Sequence, residues 1–164
     1  MILDAPVLSP DQRKRREEAR STEKPPRETR IYASEAEALT RFRFSPDQPS
    51  DKFYTVDWIA RTSLRPVTTA DGRTGWTWKF DPFMWSRLER SEGTEDLTAA
   101  RCKAAVLWGG RSSLFSTDVI RFVESVAPKG TLFVEIPEAH HHVMADEPLA
   151  LVTATRAIMA AWSV

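Results

Sequence analysis

The chain has 164 residues, 41% hydrophobic and 28% charged, with 23 basic side chains against 23 acidic ones. That length supports one domain with a core, and the charge balance gives no global attraction to nucleic acid or to an anionic membrane. No apolar run approaches the ~20 residues of a membrane span, the opening MILDAPVLSP lacks the basic n-region of a signal peptide, and the single cysteine excludes an intrachain disulfide.

A reducing, cytoplasmic setting is the default expectation, and Cys102 reads as a small buried apolar residue. In chain order, Met1–Ala5 (MILDA) reads as a strand. Residues 9–100 are polar and punctuated by prolines. A charged helix is expected at Asp11–Arg20, followed by a loop through STEKPPRETR. RKRR at 13–16 resembles a nuclear-localisation or anion patch, but Glu17 and Glu18 follow directly, so it reads as a solvated helix face. Ser34 with Glu37 forms a capping box ahead of Ala38, Leu39 and Phe42. FSPDQPSD breaks that helix. The next is expected from Phe53 to Ser63, with Phe53, Val56, Trp58 and Ile59 on its apolar side. DGRTGWTWKFDPFMW then places three of the six tryptophans and two phenylalanines around a turn. No repeat occurs.

Residues 101–164 alternate regularly. Ala104–Trp108 is a continuous apolar run, as in a strand buried on both faces. After GGRSSLF a helix is expected over Thr117–Val126 with Ser116 as N-cap. Thr131–Ile136 reads as a further strand. The loop PEAHHH leads to a last helix with Asp146 as N-cap and Pro148 in its first turn. Leu149, Val152, Ile158, Met159 and Trp162 are its expected buried side. Strand, helix, strand, helix implies a parallel, right-handed α/β layer.

AAVLWGGRSSLF and VEIPEAHHHVMADEPLALVTATRAIMAAW, with the polar stretch before them, resemble the C-terminal half of an α/β-hydrolase. The resemblance runs through essentially all 164 residues. Family members end with a strand, a G-x-x-D-like turn, a helix, a strand ending in IPGAGH, and a helix opening on an acidic–x–Pro element. The implied fold is a partial α/β-hydrolase: the last three parallel strands with flanking helices and an inserted helical lid. Residues 1–8 would be strand six, 9–100 the lid, and 101–164 the C-terminal βαβα part. WTWKFDP resembles a lid segment of one subgroup. The family's nucleophile motif, G-x-S-x-G, does not occur in the sequence, and the oxyanion-hole loop has no counterpart. The resemblance thus implies a start just after the nucleophile-bearing half, with Met1 an internal start or the sequence a fragment.

Gly110-Arg111-Ser112 superficially resembles the nucleophile turn, but Ser113 and Leu114 follow and the closing glycine is lost. Its place in the family belongs to the triad acid, which argues against Ser112 or Ser113 as nucleophile. Ser112 stands where that acid is expected. Asp118 suits the first turn of a helix, where it favours the macrodipole. Haloalkane dehalogenases carry the acid at the end of strand six, and Asp4 matches that place; it reads as triad acid or as a structural aspartate.

The three histidines of the chain are contiguous, His140 to His142. Consecutive side chains diverge, so they do not converge on one ion, and a structural zinc wants four N or S ligands; no metal and no cofactor is implied. His141 lies five residues before Asp146 and aligns with the family's catalytic base; His140 is the alternative, and His142 the frequent second histidine. A free imidazole, with a pKa near ~6.5, suits proton shuttling at neutral pH. Without the resemblance, three solvated loop histidines would be the simpler reading.

Trp76, Trp78, Phe80, Phe83 and Trp85 would line a passage for an apolar small substrate, an ester, epoxide or alkyl halide, or form the lid's own core. The parent activity implied is hydrolysis with His141 as base and Asp4 as acid, and without a nucleophile no turnover is expected of the chain alone. Alternatives are a binding or complementing protein, whose strand MILDA pairs with a chain carrying the N-terminal hydrolase half, or a truncated product without function.

Overall fold

The computed structural model describes residues 1–21, 27–87 and 93–163. The elements in chain order are β1 (Ile2–Leu3), α1 (Pro10–Ser21), α2 (Glu35–Leu39), α3 (Phe53–Thr62), β2 (Leu64–Thr68), β3 (Thr74–Trp78), α4 (Met84–Arg87), α5 (Gly93–Ala99), β4 (Ala105–Gly109), α6 (Thr117–Val126), β5 (Leu132–Ile136), α7 (Val143–Asp146) and α8 (Pro148–Trp162). They form two compact units, Met1–Glu23 with Arg90–Val164, and Lys24–Glu89.

The first unit is built on a parallel sheet of order β1-β4-β5. The register sets Ile2 opposite Val106 and Leu107 opposite Val134. Every residue of β4 is buried, as its unbroken apolar run requires. Its side chains alternate between two cores. Val106 and Trp108 pack with Leu97, Phe115, Val119 and Val123, and Ala105 and Leu107 pack with Leu151, Ile158 and Trp162. Helix α6 has the expected bounds, and the Ser116 hydroxyl accepts from the Val119 N–H.

Three expectations are corrected in this unit. Asp146 does not cap the last helix: it ends the separate turn α7, and Glu147 precedes α8 without a side-chain cap. The packed stripe of α8 is Leu151, Ala154, Ile158 and Trp162. Their spacing follows the helical repeat, which turns Val152, Met159 and Leu149 (81% exposed) outward. Cys102 is exposed, in the loop before β4.

Helices α1 and α5 belong with this sheet rather than with the insert, so the inserted unit is narrower than residues 9–100. The Thr94 hydroxyl donates to the Leu8 carbonyl and accepts from the Arg13 guanidinium, and Leu97 sits in the sheet's core. Residues 22–26 of the expected loop lie outside the described residues.

The second unit is mixed rather than helical. β2 and β3 form an antiparallel hairpin with Leu64 opposite Trp78 and Pro66 opposite Trp76. Its turn uses Gly72 at φ 82°, a conformation that glycine adopts without strain. Tyr32 bridges to Trp76, and Tyr32, Ala38, Leu64 and Trp78 make the core. The Ser34 hydroxyl accepts from Glu37 N–H at 3.1 Å while the Glu37 carboxylate reaches back to Ala33 N–H at 3.0 Å, a capping box displaced by one residue. On α3 the expected apolar side is only half realised. Val56, Ile59 and Ala60 face inward, whereas Phe53 is 80% and Trp58 67% exposed. Trp58 lies nearly opposite that i, i+3, i+4 stripe. Among the described residues no helix is long and apolar enough to cross a membrane.

Candidate active site

Three parallel strands bring their C-terminal ends to one edge of the sheet, and the loops leaving β1, β4 and β5 meet there. Asp4 leaves β1 with φ 42°, a left-handed conformation that aspartate tolerates better than most residues. Its N–H donates to the Leu107 carbonyl at 2.8 Å, which ties it to β4. Its side chain is 1% exposed. Oδ1 accepts from the Gly109 N–H at 3.0 Å and Oδ2 from the Ser112 hydroxyl at 2.8 Å. His141 Nδ1 lies 2.6 Å from the same Oδ2, across a sequence separation of 137. An ionised carboxylate only accepts, so Nδ1 carries the hydrogen.

The double glycine at the end of β4, Gly109 and Gly110, makes this meeting possible. A Cβ on Gly109 would collide with the backbone carbonyls of Ala139 and His140, and one on Gly110 would stand 2.7 Å from the Pro137 carbonyl. The loops are then stitched together: Gly110 N–H donates to Ile136 O at 2.8 Å and Arg111 N–H to Ala139 O at 2.9 Å. The carboxylate of Glu138 pairs with Arg111 at the rim.

Adjacent histidines face different carboxylates. Both the backbone N–H and Nδ1 of His140 bond to Asp146 Oδ2, at 2.8 and 2.9 Å. Asp146 is buried, so the residue expected to cap a helix instead clamps the histidine loop. The His141 imidazole is 25% exposed, and the His142 ring lies 4.7 Å from it, centroid to centroid. Among the described residues, no hydrogen-bond partner faces His141 Nε2, and no group of three or more His, Cys, Asp or Glu is arranged to hold a metal ion.

Ser112 is buried, and its hydroxyl also accepts from the Leu114 N–H at 3.2 Å. It thus holds Asp4 rather than facing the imidazole. Ser113 and Asp118 are exposed. The roles of Ser112 and Asp146 as partners of this site are not legible in the sequence. A serine in an acid's usual place is the only signal for the first, and the second is hidden by the Asp-x-Pro pattern.

The aromatic residues proposed for a substrate passage belong to the second unit, where those described have different surroundings. Trp78 is a core residue, with Trp76 packed on the same cluster. Phe83 lies under the Arg87 guanidinium at 5.3 Å, and the Trp85 side chain is outside the described residues. Trp78 and Phe80 do border a cleft of about 900 Å³ within that unit.

No family model matches the chain, and no curated protein does. Solved structures do. An esterase from Mycobacterium tuberculosis superposes with a TM-score of 0.67 at 17% identity, over 96% of this chain and 50% of that one. The thioesterase domain from the curacin biosynthetic pathway gives 0.61 at 15% identity, over 93% and 55%. E-2-(acetamidomethylene)succinate hydrolase gives 0.59 at 19% identity, over 77% and 46%. The chain spans about half the length of these structures. Its fold is the C-terminal half of the α/β-hydrolase fold.

Proposed function

We propose that the chain is the C-terminal portion of an α/β-hydrolase acting on an apolar small molecule of ester, epoxide or alkyl halide type, with His141 as base and Asp4 as acid. The observation that carries this reading is the contact between His141 Nδ1 and the buried Asp4 carboxylate. Asp4 fixes the tautomer with hydrogen on Nδ1, and so leaves Nε2 as the basic atom. When Nε2 takes a proton from a nucleophile or water, the carboxylate stabilises the imidazolium. Ser112 and Gly109 hold Asp4 in place while this happens. The fold of esterases and a thioesterase supports a hydrolytic reading.

Among the described residues no nucleophile is hydrogen-bonded to Nε2, so the chain alone is expected to give no turnover. An esterase assay on chain purified free of host enzymes checks this. Turnover that disappears in His141→Ala would overturn the inactive reading.

A second reading has one observation in its favour: among the described residues β1 is paired on one side only, with β4. Such an edge accepts a further strand. In this reading the chain complements another that carries the N-terminal hydrolase half. Co-expression with such a half should give a stable heterodimer on size-exclusion chromatography; a monodisperse monomer in the presence of that half speaks against it.

A further inference from the structure

The cleft of the Lys24–Glu89 unit has a charge character that the neutral chain as a whole does not share. Arg27, Arg30, Arg41, Arg43 and Lys79 border it, against the acids Glu28 and Asp81. Asp81 is already engaged, with Arg87 at 2.9 Å, and Arg30 pairs with Glu37 at 3.4 Å. The other cations of the cleft have no carboxylate partner among the described residues. Arg43 donates to the carbonyl oxygens of Phe42 and Thr40, and Lys79 Nζ to the Thr62 carbonyl at 2.6 Å. Among the described residues no carboxylate lies within ion-pair distance of Arg41, Arg43 or Lys79. Carbonyl dipoles orient two of these side chains but leave their net charge intact. The same cleft exposes apolar surface: Phe80 is 59% and Met84 45% exposed. Its volume, about 900 Å³, falls within the ~300–1,000 Å³ typical of small-ligand pockets.

We infer that this cleft binds an amphipathic anion, a carboxylate or phosphate head carried on an apolar chain. The head is held by Arg41, Arg43 and Lys79, and the chain lies against Phe80 and Met84. The site is defined within one unit and stands independently of the hydrolytic reading, because binding is measured without turnover.

Isothermal titration calorimetry of the full chain tests it with three probes of equal chain length: octanoate, mono-octyl phosphate and the neutral 1-octanol. At least one anion should bind at least about tenfold more tightly than octanol, with an affinity that falls as salt is raised. Which anion binds better tells a carboxylate source from a phosphate source. The double variant Arg41→Glu, Lys79→Glu should lose that affinity by about tenfold or more. Arg65→Glu, an exposed cation of the same unit outside the cleft, should leave it unchanged. Thermal melts of all variants report folding. Binding of octanol as tight as that of the anions, binding by none of the probes, or equal losses in the double variant and in Arg65→Glu would each overturn the inference.

Discussion

Asp4 is where most of the site's polar chemistry is concentrated. Three donors converge on its buried carboxylate, from Gly109, Ser112 and His141. Asparagine tolerates the same left-handed backbone, so Asp4→Asn isolates the effect of the carboxylate. One face of the amide then opposes a donor with an N–H, which should cost about 1–3 kcal/mol. Ser112→Ala removes one donor to Asp4 and also the acceptor of the Leu114 N–H, and should cost about 1–2 kcal/mol. Urea denaturation measures both, and an unchanged midpoint in either variant would contradict this arrangement. Asp146 allows a parallel comparison, since one oxygen accepts both hydrogen bonds from His140. Asn keeps an oxygen for that task and Ala does not. The histidine loop should therefore stay ordered in Asp146→Asn and loosen in Asp146→Ala, read from the imidazole resonances of His140 and His141 by NMR. At this scale sequence reasoning reached His141 and Asp4 only through the family resemblance. A separation of 137 residues leaves no local pattern linking them. Ser112 and Asp146 escaped because each has a more ordinary local explanation, a turn serine and a helix cap.

Among the elements, β4 and α6 were readable because burial on both faces and a 3.6-residue period each leave a direct mark, whereas β5, with Leu132 and Glu135 exposed, was readable from its β-branched and aromatic residues. The Ser116 cap should contribute about 1 kcal/mol, so Ser116→Ala is expected to lower the denaturation midpoint accordingly. The hairpin β2–β3 was not readable, because Pro66 argues against a strand unless no further neighbour needs its N–H. Here, among the described residues, β2 pairs only with β3, so Pro66 lies on an edge; it is β3 that takes the further bridge, from Tyr32 to Trp76. The turn of this hairpin responds to acid: Asp71 is held below the ordinary carboxylate range by the Thr69 hydroxyl and then the Arg73 guanidinium. A depressed carboxyl contributes above the free-residue value and is lost as pH falls through its own, lower one. The Gly72 and Arg73 amide resonances should therefore move with a midpoint below that of a free aspartate. Global melting should barely change, because the group is solvated. The strand end at Gly109 is stricter. Gly109→Ala forces the backbone at Ala139 and His140 to retreat, so the contact between His141 and Asp4 should be lost. The NMR signal of the Nδ1 proton reports this directly.

Taken whole, the molecule exposes apolar side chains on two helices, Leu149, Val152 and Met159 on α8, and Phe53, Tyr54 and Trp58 on α3. Exposed clusters of this kind favour association. Replacing Leu149 and Met159 by lysine should suppress concentration-dependent self-association in sedimentation velocity while leaving stability within about 0.5 kcal/mol. The expected division of the chain at residues 9 and 100 gave way to 24 and 89, because α1 and α5 are polar enough to read as an insert, yet α5 places Leu97 in the sheet's core and α1 is tied to α5 through Arg13 and Thr94. The pairing of β1 with β4 has a consequence for how the molecule opens. β4, α6 and β5 follow one another directly, whereas Asp4 must return to Gly109 across 105 residues. Closing so long a loop is entropically expensive, but the expense rises only logarithmically, by about 0.6 kcal/mol for each doubling of length. The intervening unit is therefore free to grow or shrink over evolutionary time with little thermodynamic penalty. A two-residue strand that pairs, among the described residues, with β4 alone is also the part of the sheet most readily released. Its amides should exchange with deuterium well before those of β4, so the imidazole loses its carboxylate in brief openings long before the fold itself is lost.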